Sequence, residues 1–449
     1  MANRKSQMKL LVFAHVPPPH HGQSYMVQLM LDGFGGNCRR RKRATPNRFG
    51  IACYHVNARF SRGLEDVGAF QSIKLARLFL HCLEAIWCRF YYGVENLYYV
   101  PAPGKRVALY RDWLVMLFCR PFFKRVILHW HAAGLAKWLE TSVQMRTRAA
   151  TYRLFKPVDL SLVLSRYNFA DAEKLLSRRI AVVNNGIPDP CPDFEQTILP
   201  RRRARRAARV KLFAGRPLLP EEIQHAGGDP ETVKVLFLAH CSRDKGLFAT
   251  VEAIGAANRH LAARGVPVRM KLTVAGSFVT VEDRETFNHW LQKDDLHRVV
   301  EYLGFVSGAD KDRVLREADL FCFPTHYLGE NQPVNLIEAM AFGLPVVVTR
   351  WRSLPEMLPD DYPGLVSGQS SAEVAAALVR LATEHTGEIS RRNFVVRYTL
   401  QAHLNALAAA LRQVETEPPT VPAEAALPLG ASRRPGATGA NSGSVHLTL

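Results

Sequence analysis

The sequence is poor in the features that mark several large protein classes. Its eight cysteines are scattered through 449 residues, with no CxxC pair and no close Cys/His grouping at zinc spacing. That argues against a structural zinc site or a disulfide framework and makes a reducing cytosol the simplest compartment. No stretch approaches the ~18 to 20 apolar residues of a membrane-spanning helix. The start, MANRKSQMKLLVFAHVPPP, is basic and then apolar, but the run from Leu10 lasts five residues before His15 and no small-residue cleavage site follows. It reads as a buried first strand rather than a secretory leader, so a soluble or peripheral protein is expected. A GxGxxG turn is missing from both HVPPPHHGQ and AHCSRDKG, the loops where an NAD-dependent oxidoreductase would carry it.

Acidic residues are also short: 40 Asp and Glu against 59 Lys and Arg leave a formal charge of +19. The cations cluster in RRRKR (39 to 43) and RRRARRAAR (201 to 209). Such runs suit nucleic acid, an anionic membrane surface, or simply solvated, disordered insertions. Because they lack interleaved aromatics and fall in expected loops, a nucleic-acid partner is not expected.

Apolar residues make up 47% of the chain, and the length suffices for two or three domains with cores of their own. Short apolar runs alternate with longer amphipathic segments. Strands are predicted at 9–16, 51–56, 96–100, 125–131, 160–165 and 180–186, then at 233–239, 269–276, 299–304, 319–324 and 345–349. Near-continuous apolar strands separated by helices predict parallel sheets covered on both faces, so the fold class is α/β with two doubly wound, Rossmann-like domains. The expected organisation is an N-terminal Rossmann-like domain over 1–200, a basic linker or insertion over 201–230 and a C-terminal domain over 231–389. A closing helix at 390–414 and a disordered Pro/Ala/Gly/Ser tail at 415–449 complete it.

In open α/β sheets ligands bind beyond the carboxyl ends of the strands, and each unusual loop here follows a strand. In HVPPPHHGQSYMVQL, Gly22 and Ser24 begin a helix, where a phosphate or sugar can approach the backbone, although a plain Pro-rich turn would look the same. In HWHAAG, His129 and His131 share one face of a strand end with Trp130 opposite, followed by Gly134. In AHCSRDKGL, Arg243 and Lys245 next to Gly246 suit a diphosphate clamp. In GADKDR, Asp310 and Asp312 have the spacing of a metal-binding DxD, but acids at a helix start are expected for capping alone, and that reading is preferred.

The most informative stretch is HYLGENQPVNLIEAMAFGLPVVVTRW, 326 to 351. Gly329, Asn331 and Pro333 punctuate a loop, Val334 to Phe342 reads as a helix with Pro333 suited to its first turn, and Gly343 stops it before a buried strand. Glu330 thus lies just outside a helix N-terminus, where spare N–H groups favour an anion, and Glu338 lies one to two turns inside.

This stretch, with SLPEM after it, resembles the donor motif of family 4 glycosyltransferases of the GT-B fold. The resemblance covers about 8 to 412 and is most specific over 233 to 357. It implies transfer of a sugar from a nucleotide sugar to a hydroxyl of a glycan or lipid-linked acceptor with retention of configuration, as in cell-surface polysaccharide biosynthesis, without a metal or other cofactor. By position it implies that Glu330 faces the donor sugar, with His131 as the strand-end histidine beside it. It further implies that Glu338 binds the ribose and that Asn331, Gln332, Pro333 and Val334 hold the donor, largely through backbone. Lys245 matches the diphosphate lysine and Gly22 the glycine near diphosphate and acceptor. Two departures stand out. His240 occupies the usual arginine position, with Arg243 as a substitute, and Asn331 replaces a glycine; asparagine tolerates left-handed backbone, so the loop can survive, but its side chain narrows the sugar pocket. The resemblance also makes 1–200 the acceptor side and 231–389 the nucleotide-sugar side. Asn185 and Gly186 match a turn that shapes the cleft. The basic amphipathic segments 73–92 and 113–125 add the expectation of a cytoplasmic protein that is peripheral at the inner membrane face.

Overall fold

The computed structural model describes residues 7–18, 22–40, 47–59, 72–368 and 370–416. The first unit runs β1 (Met8–Ala14), α1 (Gly22–Gly33), β2 (Ile51–Asn57), α2 (Ser72–Tyr91), β3 (Asn96–Tyr99), α3 (Arg106–Cys119), β4 (Arg125–Trp130), α4 (Leu135–Thr141), α5 (Met145–Phe155), β5 (Leu160–Val163), α6 (Phe169–Lys174) and β6 (Ile180–Val182). The second runs α7 (Leu199–Phe213), α8 (Pro220–His225), β7 (Thr232–Leu238), α9 (Leu247–Ala263), β8 (Arg269–Ala275), α10 (Val281–Gln292), β9 (Val300–Gly304), α11 (Gly308–Glu317), β10 (Leu320–Phe323), α12 (Val334–Ala341), β11 (Val346–Thr349), β12 (Leu365–Val366) and α13 (Ser371–Leu381). Two further helices, α14 (Thr386–Arg397) and α15 (Leu400–Thr416), follow.

Each sheet has six parallel strands, ordered β2-β1-β3-β4-β5-β6 and β12-β11-β10-β7-β8-β9. All the strands expected from sequence are present, with ends shifted by up to four residues. The apolar runs have no alternation because both faces are covered: Leu11 and Phe13 of β1 join one core with α2 and α3, while Leu10 and Val12 join another with α1 and α15. Among the described residues, the two-residue β12 is the strand not expected from the sequence. The order reverses between β1 and β3 and between β7 and β10, the switch points beyond which open α/β sheets hold ligands.

The chain crosses between the units twice. Ile187 and Thr399 form a parallel bridge, with Ile187 N–H to the Tyr398 carbonyl at 3.0 Å and Leu400 N–H to the Ile187 carbonyl at 2.7 Å. A Cβ on Gly186 would lie 2.4 Å from the Thr399 carbonyl oxygen, so the crossing admits only glycine there. The closing helix expected at 390–414 is therefore two helices. α14 stays with the second unit, and α15 returns to the first, burying Leu404, Leu407 and Leu411.

The basic stretch 201–209 is helical rather than a solvated insertion. Arg205 is bidentate to Asp319 at 2.9 and 3.1 Å, and Arg209 reaches the same carboxylate at 2.6 Å. Arg202 donates to the Phe342 carbonyl at 2.6 Å. The guanidiniums hold Asp319 well below the usual carboxylate range against the burial that opposes them. These cations are committed to the interior of the second unit. Of 39–43, Arg39 bridges to Glu84 of α2 at 2.6 Å, and residues 41–43 lie outside the described residues. The tail lies outside them from residue 417.

Candidate active site

Gly22 opens α1 and Val334 opens α12, and a Cβ on Gly22 would stand 3.6 Å from a Val334 methyl. The N-termini of one helix from each unit therefore meet, and their spare N–H groups face the cleft region. Pro333 lies just outside α12 with extended backbone, one residue earlier than its expected place in the first turn.

Glu330 is buried, accepts from Lys245 Nζ at 2.7 Å and from the Thr325 hydroxyl at 3.1 Å. The ammonium also sits 4.3 Å from the Tyr327 ring centroid. Gly246, with φ +85°, starts α9 beside the Pro324 carbonyl, which a Cβ would approach to 2.4 Å, so glycine is what lets the Lys245 loop reach the Glu330 loop. Arg243 is not gathered with them. It is exposed, with its guanidinium 4.8 Å over the Phe248 ring. Burial, then the Lys245 charge, lower the His240 pKa, so this imidazole is neutral at pH 7 and supplies no cation in the arginine's place.

Glu338 lies inside α12, 2.5 Å from Lys311 Nζ. Burial raises its pKa and Lys311 pulls the other way. Lys311 is the middle residue of the DxD spacing. Asp310 is exposed in the first turn of α11 and pairs with Arg313 at 3.4 Å, whereas the lysine turns to the cleft glutamate. Sequence reasoning missed Lys311; the two flanking acids drew the attention. Tyr25 of α1 is nearby, its phenol pushed up by burial and then by Glu338.

Asn331 and Gln332 send their side chains to the other unit. Gln332 Nε2 donates to the Leu164 carbonyl at 2.6 Å and to Asn184 Oδ1 at 2.8 Å, and its Oε1 accepts from Asn185 N–H at 2.9 Å. Asn185 Nδ2 returns a bond to the Gln332 carbonyl at 3.0 Å. Asn331 Nδ2 donates to the Trp130 carbonyl at 3.3 Å, and Ser353 Oγ donates to the Asn331 carbonyl. Asn331 does not use the left-handed backbone that asparagine tolerates: among the described non-glycine residues, positive φ occurs at Leu176 and Arg352. The Asn331 amide reaches across to the Trp130 carbonyl of the first unit.

The histidines form a row. His129 is buried, its Nδ1 bonded to the Tyr98 hydroxyl and its ring 4.2 Å from that of His131, while Trp130 points oppositely to Ser161 at 3.0 Å. His403 of α15 stacks 6.4 Å from His129 and bonds the Asn184 carbonyl through Nδ1 at 2.7 Å. Burial, then the neighbouring His131 and His403, hold His129 well below the usual histidine range, and burial takes His403 down to about 4. His129 is thus a neutral core residue, and the half-buried His131 is the member nearer the cleft.

Residues 220–397 match the family model described as glycosyl transferases group 1. The chain is 28% identical over 168 residues to the putative colanic acid biosynthesis glycosyltransferase WcaL of Escherichia coli K12, covering 36% of this chain and 39% of that protein. It is 36% identical over 93 residues to the amylovoran biosynthesis glycosyltransferase AmsK of Erwinia amylovora, 20% and 23% of the two chains. The matches span about two-fifths or less of these curated relatives. Among solved structures, Anabaena HepE in complex with UDP superposes with a TM-score of 0.58 at 14% identity, over 90% of this chain and all of that one. WaaG, a glycosyltransferase involved in lipopolysaccharide biosynthesis, does so with 0.54 at 15%, over 90% and 98%. The fold is GT-B, and the match to the group 1 glycosyl transferase model lies in the second unit and the helix that follows it.

The low folded pKa of His403 has a definite sign. An unfolded histidine near 6.5 takes up a proton that the folded one refuses until about pH 4, so stability falls as pH drops across that window. The full interval corresponds to about 3 kcal/mol. Urea unfolding from pH 7 to 4 should show His403→Gln with a flatter decline than the wild type.

Proposed function

We propose that the chain transfers a sugar from a nucleotide-sugar donor to a hydroxyl of a glycan or lipid-linked acceptor with retention of configuration, in cell-surface polysaccharide biosynthesis. The premise is the group 1 glycosyl transferase domain within a GT-B fold. The observation that carries the reading is the buried Lys245–Glu330 contact of 2.7 Å just before the α12 N-terminus, with Glu338 inside the same helix. HepE, crystallised with UDP, and the polysaccharide enzymes WcaL and AmsK support the class of donor and product.

In this reading the donor diphosphate lies against Lys245 and the N–H groups at the start of α12, where developing negative charge is stabilised. Glu330 accepts from donor-sugar hydroxyls and shares the ammonium, and Glu338, set by Lys311, accepts from the ribose. The bond between the anomeric carbon and the diphosphate oxygen breaks as the acceptor oxygen bonds to the same face of that carbon. A donor phosphate oxygen takes the acceptor's proton, so the products are a glycoside and a nucleoside diphosphate. The contacts of Asn331 and Gln332 to the first unit exclude water from the cleft, favouring transfer over hydrolysis.

Glu338→Ala should raise the donor KM about tenfold to a hundredfold, since ribose hydrogen bonds to a carboxylate act on ground and transition states alike. Glu330→Ala should mainly lower kcat. Full activity in either variant, measured as nucleoside diphosphate released from a panel of UDP-, GDP- and ADP-sugars, contradicts the assignment.

The acceptor side carries a second proposal, contact with an anionic membrane surface. No helix among the described residues is long and apolar enough to cross a membrane. Yet α2 exposes Leu75, Phe79, Leu83 and Trp87 at four-residue spacing, and Phe90 is 67% exposed beyond them. Phe79 meets Phe118 of α3 at 5.4 Å and Phe90 meets Phe122 at 6.0 Å, so the two helices make one apolar ridge. Residues 72–125 hold nine Lys and Arg against three Asp and Glu, which complements acidic headgroups around that ridge. The protein should sediment with anionic vesicles at low salt, less so as the Debye length shortens below ~10 Å, and Phe90→Glu should weaken it. No binding to anionic vesicles at low salt removes this proposal.

A further inference from the structure

Arg352 is one of two non-glycine residues with positive φ among those described, at +51°. It follows β11 at the carboxyl edge of the second sheet and reaches across to the first unit. Its Nη1 donates to the Ala133 carbonyl at 3.0 Å, and a Cβ on Gly134 would stand 2.5 Å from that nitrogen, so the glycine after Ala133 makes room for the guanidinium. The guanidinium lies 5.7 Å from the Tyr167 ring of the first unit and 5.5 Å from that of Trp351. Four residues on, Glu356 accepts from Arg166 and Tyr167 N–H at 2.8 and 2.9 Å, capping a short helical turn of the first unit. A strained backbone persists only where its surroundings over-determine it, and here the surroundings are two facing domains.

This grip is wired to the donor loops. The Trp351 indole donates to the Tyr327 carbonyl at 2.9 Å, and the Tyr327 ring receives Lys245 at 4.3 Å, which in turn bonds Glu330. Ser353, next to Arg352, bonds the carbonyl of Asn331, the neighbour of Glu330. We propose that Arg352 is a positioning residue, a latch that couples filling of the donor site by a nucleoside diphosphate group to closure of the two domains. The coupling to donor rests on the function proposed above; the latch itself rests on the interdomain contacts alone. When Lys245 and Glu330 engage a diphosphate and sugar, the Tyr327–Trp351 pair fixes the turn that holds Arg352 against Ala133, and closure and donor occupancy stabilise one another.

The test is small-angle X-ray scattering on the full chain, wild type, Arg352→Ala and Arg352→Lys, without ligand and with uridine diphosphate, guanosine diphosphate or adenosine diphosphate. Thermal melting verifies that each variant is folded, and Arg352→Lys serves if the alanine variant is not. Without ligand, both variants should have a larger radius of gyration than the wild type, the lysine variant less so because it keeps a cation over the rings but loses the guanidinium geometry. With a nucleotide that compacts the wild type, Arg352→Ala should lose the compaction and bind that nucleotide about fivefold or more weakly, because coupling between closure and donor occupancy acts in both directions. Equal radii in wild type and Arg352→Ala without ligand overturn the latch. Full compaction of Arg352→Ala by nucleotide overturns it too. If no nucleotide binds the wild type, the donor reading fails while the ligand-free comparison still decides the latch.

Discussion

Lys245 and Glu330 meet at 2.7 Å from different loops of the second sheet, both largely withdrawn from water. An ion pair so placed must recover the cost of desolvating two charges, and removing either partner leaves the other stranded. The structure invests in it from all sides: Gly246 brings one loop close, Thr325 adds a hydrogen bond, and the Tyr327 ring covers the ammonium. A pair held this firmly is preorganised, and in the proposed function it has little left to reorganise when a diphosphate binds.

The next two residues carry the consequence outward. Asn331 and Gln332 bond to Trp130, Leu164, Asn184 and Asn185 of the first unit, so the loop presenting Glu330 is also a main clamp between domains. The bridge between Ile187 and Thr399 ties the two crossing segments together, while Arg391 pins Asp189 beside it at 2.7 and 2.8 Å. Site and interface are thus built from one short stretch of chain. A substitution there would be felt in both.

The strands were legible because parallel sheets covered on both faces need uninterrupted apolar runs, and β10 or β11 can be little else. Glu330, Glu338 and Lys245 were legible through spacing, and the structure puts Lys245 on Glu330. What escaped depends on partners distant in sequence. Arg205 and Arg209 of α7 look like part of a solvated run until Asp319, more than a hundred residues away, accepts both. Lys311 looked incidental between two aspartates because its partner Glu338 lies on another helix, and nothing in the AHCSRDKGL pattern shows that the Arg243 guanidinium lies over Phe248. The side-chain bonds of Asn331 and Gln332 are likewise illegible locally, because their partners Trp130, Leu164, Asn184 and Asn185 lie in the other unit.

The central claim is that donor loop and domain interface are a single structural unit which a nucleoside diphosphate orders. Hydrogen–deuterium exchange with and without uridine, guanosine and adenosine diphosphates tests it most directly, because backbone protection is read separately on each side of the cleft. With the nucleotide that the protein recognises, exchange should slow together in 326–338 of the second unit and 164–186 of the first. Protection confined to 326–338, or none with any of the three, would contradict the account.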